Sequence, residues 1–178
     1  MGGDSVISML VVKVDRCLGC KACEVACAVE HSASKNLFEA IRESPGPRSR
    51  VTVGQGQGFA APLQCRQCES APCVAICPTH ALARTSPETP VMMDHEVCIG
   101  CMWCVLVCPF GVITLDERGR SIIKCDQCFE RVQRGELPAC VQACPTGALV
   151  YETLDEVLAG KREATLVQIQ GAAKKNNG

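Results

Sequence analysis

The chain has 178 residues, enough for one ordinary domain or two small halves, and too few for a large catalytic domain carrying a further module. Hydrophobic residues make up 47%, but that class includes 16 Cys while aromatics are only 3%, which excludes a core built mainly from large side chains. A net charge of -1 excludes the broad positive field of a nucleic-acid binder, and no stretch approaches the roughly 20 apolar residues that cross a bilayer.

The first residues, Met1 to Val14, hold a predicted strand at Met9 to Val14 and neither an export signal nor a twin-arginine pair. A cytoplasmic setting is therefore expected, where closely spaced cysteines are metal ligands rather than disulfide partners. The strand leads into Cys17, Cys20, Cys23 and Cys27, spaced C-x2-C-x2-C-x3-C, with a helical turn predicted over Glu24 to His31. Ser44 to Gly58, with two Pro and four Gly, reads as a loop around a short strand at Arg50 to Val53. Its Gly54, Gly56 and Gly58 imitate a dinucleotide fingerprint, but that motif needs a helix directly after the glycines. Phe59 to Leu63 instead contains Pro62 and runs into the next cysteines, so no flavin or nicotinamide site is expected.

The second group is Cys65, Cys68, Cys73 and Cys77, followed by Pro78, with its middle gap widened to four residues. The third, Cys98, Cys101, Cys104 and Cys108 before Pro109, repeats the spacing of the first. A hairpin is predicted next, from Val112 to Leu115 through a turn at Glu117 to Gly119 to Ser121 to Lys124. It leads into Cys125, Cys128, Cys140 and Cys144 before Pro145, where the middle gap is eleven residues. Phe129 to Arg134 reads as a helix ending at Gly135, and Leu149 to Glu152 as a strand. Ala164 to Ile169 is apolar enough to dock on a partner or a neighbouring subunit, and Ala172 to Gly178 is expected to lack structure.

The four groups use every cysteine of the chain. Three cysteines in one tight loop can point their sulfurs at three corners of a cubane, while nearby amides face its sulfides. In two-cluster ferredoxins the cysteine before proline ligates the other run's cluster, so runs work in pairs. A zinc ribbon is the plainer reading of a single C-x2-C pair. It fails here because the first and third groups offer three cysteines at consecutive x2 gaps and then a fourth, with Cys-Pro endings in three of four groups. No C-x-x-C-H for haem attachment occurs. Four oxidised 4Fe-4S clusters would take the formal charge to roughly -9, which excludes nucleic acid further.

Among other candidates, His31, His80 and His95 have no ligand spacing and read as surface or hydrogen-bonding groups. Trp103, between Cys101 and Cys104, would shield a cluster from water. Lys21, Arg66 and Lys124 flank cluster cysteines and could soften the clusters' charge, although flanking cations are more often simply solvated.

The order and spacing of all four groups, over about Val12 to Tyr151, resemble the four-cluster iron-sulfur subunits of the dimethyl sulfoxide reductase type. Relatives of that family serve formate dehydrogenases, formate hydrogenlyase, carbon monoxide dehydrogenase and tungsten aldehyde oxidoreductase systems. The resemblance implies an α+β fold of two nested bacterial ferredoxin-like (dicluster) units with a small, cluster-stabilised core. It implies one polyferredoxin domain over 1–178, with half A formed by about 9–43 plus 121–152, half B by about 59–116, and 153–178 a C-terminal extension. It further implies four 4Fe-4S clusters. One would be held by Cys17, Cys20, Cys23 and Cys144, and its neighbour by Cys27, Cys125, Cys128 and Cys140. The other two would be held by Cys65, Cys68, Cys73 and Cys108, and by Cys77, Cys98, Cys101 and Cys104. Some members lose a third-run cysteine and hold a 3Fe-4S cluster there, whereas this chain keeps all four. Membrane-linked members often carry a helix after the last run, and here the chain ends 34 residues past Cys144 without one.

The expected role is a non-catalytic electron-transfer subunit between a catalytic subunit and a second redox partner. Molybdenum or tungsten enzymes lead the partner ranking, ahead of carbon monoxide dehydrogenase or hydrogenase. A stand-alone diffusible polyferredoxin is the alternative, disfavoured because four clusters in series suit transport between two fixed sites. A redox sensor would need an output element such as a DNA-binding helix pair, and no segment is left for one.

Overall fold

The computed structural model describes residues 8–176. Strand β1 (Ser8–Val12) passes through a 3-10 turn (Val14–Arg16) into the first cysteine loop and helix α1 (Ala22–Glu30). Helix α2 (Leu37–Ala40) is capped by Asn36, whose side chain accepts from the Phe38 amide. Strands β2 (Val51–Gly56) and β3 (Phe59–Gln64) precede the second loop and α3 (Pro72–Ala75). The chain continues through β4 (Leu82–Ala83), β5 (Met92–Met93), α4 (Trp103–Val107), β6 (Thr114–Leu115) and β7 (Ile122–Ile123). It closes with α5 (Phe129–Gln133), α6 (Ala139–Gln142), β8 (Leu149–Thr153) and α7 (Leu154–Asn176).

The strands form four separate antiparallel pairs, β1 with β8, β2 with β3, β4 with β5 and β6 with β7. No larger sheet exists among the described residues. Consequently the cysteine loops are framed by short two-stranded ladders and short helices. Two cores result. Leu10, Val51, Val53 and Leu149 pack with Cys23, Cys27, Cys125 and Cys140. Leu82, Val91, Ile113 and Ile122 pack with Cys104, with Cys73, Cys77 and Cys108 at the margin. Cysteines thus occupy the positions that aromatic side chains fill elsewhere, as the composition requires.

The loops owe their tightness to left-handed backbone. The second residue after the first cysteine of each group is Gly19, Gln67, Gly100 or Gln127, all at positive φ. At Gly100 (φ +66) a Cβ would stand 2.3 Å from the Arg120 carbonyl oxygen, so both conformation and space demand glycine. Gly100→Ala is expected to destabilise the chain by at least about 1–2 kcal/mol from the left-handed conformation alone. Thermal unfolding followed by the loss of cluster absorbance would show it as a lowered midpoint.

Several expectations need correcting. The glycine-rich stretch is not a loop around one short strand but a hairpin, with Gly54↔Ala61 and Gly56↔Phe59 paired and Gly58 (φ +79) in its turn. Pro62 is accommodated opposite Val53 on this isolated pair, which has free edges. The expectation that Ala172 to Gly178 lacks structure is overturned through Asn176, where α7 ends, and residues 177–178 lie outside the described ones. Alanine, lysine and glutamine are good helix formers, and a capping box starts α7. The Thr153 amide donates to Glu156 Oε2 at 2.7 Å, and the Glu156 amide to Thr153 Oγ1 at 3.2 Å. Ala164 to Ile169 lies on this helix and is exposed throughout.

Candidate metal-cluster sites

Three cavities are each lined by four cysteines drawn from two groups. Cys17, Cys20, Cys23 and Cys144 line the first, with Val53, Pro62 and Leu149. Cys77, Cys98, Cys101 and Cys104 line the second, with Leu82 and Ile122. Cys65, Cys68, Cys73 and Cys108 line the third, with Val91 and Ile113. The remaining four, Cys27, Cys125, Cys128 and Cys140, are all buried, and burial first, then the nearby Cys125, Cys27, Cys128 and Cys23, push the Cys140 thiol pKa up.

The spacing of the sulfurs separates a cluster from a single zinc ion. Four thiolates at about 2.3 Å from one zinc crowd to within about 4 Å of one another. Among the described residues, the only group of three or more His, Cys, Asp or Glu ligand atoms all within 4.8 Å is His31, Asp126 and Cys128. No cysteine quartet among the described residues is drawn in that tightly. The residues present therefore fit 4Fe-4S clusters.

Local structure explains how the sulfurs are aimed. The Gln67 and Gln127 amides donate to Cys65 Sγ and Cys125 Sγ, each at 3.4 Å, and the Arg50 amide to Cys27 Sγ at 3.2 Å. Thr79 and Thr146, two residues past Cys77 and Cys144, bring their hydroxyls 3.8 Å from those sulfurs. Burial works against the charged form of Cys77 and Cys144, but the backbone amides of Leu82 and Leu149 first, then Thr79 and Thr146, outweigh it and lower both pKa values. Elsewhere burial dominates. It pushes the Cys125 thiol up to about 12, and those of Cys23, Cys104 and Cys128 up to about 11.

Lys124 departs from the solvated reading. It is 5% exposed, and its Nζ donates to the Val91 carbonyl at 2.8 Å, the Cys125 carbonyl at 2.9 Å and Gln67 Oε1 at 3.4 Å. It also lines the cavity of Cys65, Cys68, Cys73 and Cys108, where burial raises the Cys73 pKa and the Lys124 charge partly offsets that rise. A fixed cation stands where a cluster would add negative charge. Lys124→Met should leave buried carbonyls without a donor, costing about 1–3 kcal/mol, and should move a cluster midpoint to more negative values in a redox titration.

The three histidines behave as hydrogen-bonding or surface groups. His95 Nδ1 lies 3.0 Å from Ser121 Oγ, and His80 sits exposed at positive φ after Cys77. His31 is enclosed. Its Nδ1 donates to the Cys27 carbonyl at 2.8 Å, and its Nε2 lies 3.3 Å from Asp126, which also pairs with Arg50. Burial alone would lower the His31 pKa, but the bonds to Asp126 and Cys27 outweigh it and raise it to about 9. Asp126 in turn is held well below the usual carboxylate range by His31 and Arg50 in spite of burial. Sequence spacing held no sign of this network, because its members come from the residue after α1, the residue before β2 and the fourth loop. Trp103 lines the cavity of Cys98, Cys101 and Cys104 but remains 51% exposed, so it covers that site only partly.

Known proteins agree with this chemistry. A family model described as a 4Fe-4S dicluster domain matches residues 57–154, and one described as a 4Fe-4S binding domain matches residues 14–30. An iron-sulfur protein of Rhodospirillum rubrum is 41% identical over 169 residues, covering 87% of each protein. The electron transport protein HydN of Escherichia coli strain K12 is 34% identical over 174 residues, covering 88% of this chain and 95% of HydN. One polypeptide of the anaerobic dimethyl sulfoxide reductase of the same strain is 33% identical over 147 residues, covering 80% of this chain and 71% of that polypeptide.

Proposed function

We propose that this chain, which belongs to the 4Fe-4S dicluster family of dimethyl sulfoxide reductase-type iron-sulfur subunits, carries electrons through four 4Fe-4S clusters between a catalytic oxidoreductase subunit and a second redox partner. Its role as an electron-transfer subunit follows from the family. The observation that supports the four-cluster reading is the gathering of twelve cysteines from paired groups around three cavities, with the remaining four all buried.

Bound clusters of this type supply one-electron exchange with potentials set by their surroundings. The chain's residues do the rest. Cys17, Cys20, Cys23 and Cys144 hold one cluster, and Cys27, Cys125, Cys128 and Cys140 its neighbour. Cys65, Cys68, Cys73 and Cys108 hold a third, and Cys77, Cys98, Cys101 and Cys104 a fourth. The architecture reads as two nested ferredoxin-like halves, about 9–43 plus 121–152 outside and about 59–116 inside, with 153–178 as an extension. Support comes from the β1–β8 pairing, which joins the first and last groups, and from the two cores. The β2–β3 hairpin leans on the outer half through Val51, Val53 and Ala60, and Ile122 on the inner one.

Surface chemistry favours a bound subunit over a diffusible carrier. Ile99, Trp103, Leu106 and Phe110 stand exposed around the third group, and Leu18 and Val25 around the first. Cys20 and Cys101, one in each of these regions, are the exposed cysteines. Apolar side chains around an exposed ligand suit docking against another protein. We assign the catalytic partner to the molybdenum or tungsten oxidoreductases, ahead of carbon monoxide dehydrogenase or hydrogenase, by analogy with dimethyl sulfoxide reductase. No described helix is long and apolar enough to cross a membrane. Sixteen thiols gathered as metal ligands suit a reducing, cytoplasmic setting.

Anaerobic purification from the native source tests the subunit role: co-elution with a larger oxidoreductase supports it, and elution alone favours the free carrier. Truncation before Lys161 is expected to weaken that co-elution at least tenfold while leaving iron content unchanged, because α7 projects exposed from the cluster-bearing body. Full retention of the complex would remove α7 from the interface.

A further inference from the structure

Gln64, the residue before Cys65, is 1% exposed, yet neither its Nε2 nor its Oε1 has a hydrogen-bond partner. Buried carboxamides are nearly always paired, so a fully enclosed side chain with both polar atoms unpartnered points to a missing neighbour. Its position says which one. Gln64 is the cross-strand partner of Val51, and directly opposed residues share a face of the ladder. Val51 packs among Cys23, Cys27, Cys125 and Cys140.

The previous pair on that face, Val53 and Pro62, lines the cavity of Cys17, Cys20, Cys23 and Cys144. One pair further along, the hairpin has passed that cavity and reached the next quartet. Arg50, beside Val51, donates its amide to Cys27 Sγ, and Cys65, beside Gln64, acts electrostatically on Cys125. The register thus directs the carboxamide toward the side of the hairpin where Cys27 and Cys125 lie, two members of the quartet that is buried throughout.

We propose that Gln64 Nε2 donates a hydrogen bond to a sulfur of the cluster held by Cys27, Cys125, Cys128 and Cys140, and thereby raises that cluster's reduction potential. Gln64 acts as a positioning residue for charge. An N–H aimed at sulfur favours the more negative, reduced state over the oxidised one. This accounts for Nε2 and not for Oε1. The inference rests on the cluster-binding reading above, and its test is arranged so that the two fail differently.

The test uses full-length protein purified anaerobically, as wild type, Gln64→Met and Gln64→Glu. Methionine keeps the length of the side chain without a donor, and glutamate keeps its shape while replacing the donor with an acceptor. Iron and sulfide are assayed on each sample, and the cluster midpoints are followed by electron paramagnetic resonance in a potentiometric titration. Gln64→Met is expected to keep wild-type iron and sulfide and to move one midpoint to a more negative value while the others stay. Gln64→Glu is expected to move the same midpoint further. Wild type with its side-chain amides labelled with ¹⁵N should show a nitrogen coupling to one reduced cluster, absent in both variants. Unchanged midpoints in cluster-loaded variants, or no such coupling in wild type, overturn the proposal for Gln64. Wild type without iron and sulfide overturns the cluster reading itself.

Discussion

Anaerobically purified protein is expected to contain about sixteen iron and sixteen acid-labile sulfide per chain, with zinc far below one, and stripping the clusters is expected to abolish cooperative unfolding. The two cores are small, cysteines are among their members, and the four ladders are separate two-stranded pairs. An isolated two-stranded pair is marginal in water. Residues 17 and 144, and residues 65 and 108, line common cavities, and a cluster bound there would tie them together. Circular dichroism before and after chelation under reducing conditions measures this: a stripped chain that still melts in one sharp transition would contradict it.

The thiols add a pH dependence. Burial pushes Cys125 to about 12 and Cys23, Cys104 and Cys128 to about 11, so at neutral pH the stripped chain holds them protonated, and iron must displace those protons. Loading therefore rises with pH, and reconstitution should go further at about pH 8.5 than at about pH 6.5. Any residual fold of the stripped chain runs the other way. A raised thiol pKa means the folded form binds more protons than the unfolded one above about pH 8.5, so its stability falls as pH climbs beyond that value.

Cys140→Ser is expected to have the second largest effect, lowering iron from about sixteen to about twelve per chain and the thermal midpoint with it. Cys140 is 5% exposed on α6, which packs against α1 and so joins the fourth group to the first. A serine there is a poor ligand and leaves a buried hydroxyl, a further cost of about 1–3 kcal/mol. The same substitution tests the pairing of groups. Cys27→Ser should remove the same paramagnetic signal as Cys140→Ser, and Cys23→Ser a different one. If Cys27 instead grouped with Cys23, each run would hold its own cluster and the nested arrangement would fall.

The site was legible in the sequence to the extent that it is local. The x2 and x3 gaps decide which sulfurs can share a loop, and Pro78, Pro109 and Pro145 mark where the chain turns away after a distal cysteine. The hairpin before Cys125, the helix ending at Gly135 (φ +78) and the strand after Gly147 followed from turn residues and short-range pattern. Helices α3, α4 and α6 did not, because four or five residues show no period, and β4 and β5 are two residues each. The β2–β3 hairpin was hidden by its own Gly and Pro, which propensity reads as loop.

Composition and spacing by themselves determined a cysteine-held chain with a thin core, because ligand reach along a loop is set by bonds between neighbours. Only the tertiary structure decided that Lys124 is buried rather than solvated. Its three acceptors come from Gln67, Val91 and Cys125, and the first two are 57 and 33 residues away. The same holds for His31 with Asp126, 95 residues apart, and for Gln64, an ordinary glutamine until the hairpin turns it inward. Burial is a property of what packs around a side chain, and in this protein those neighbours come from distant groups of the chain.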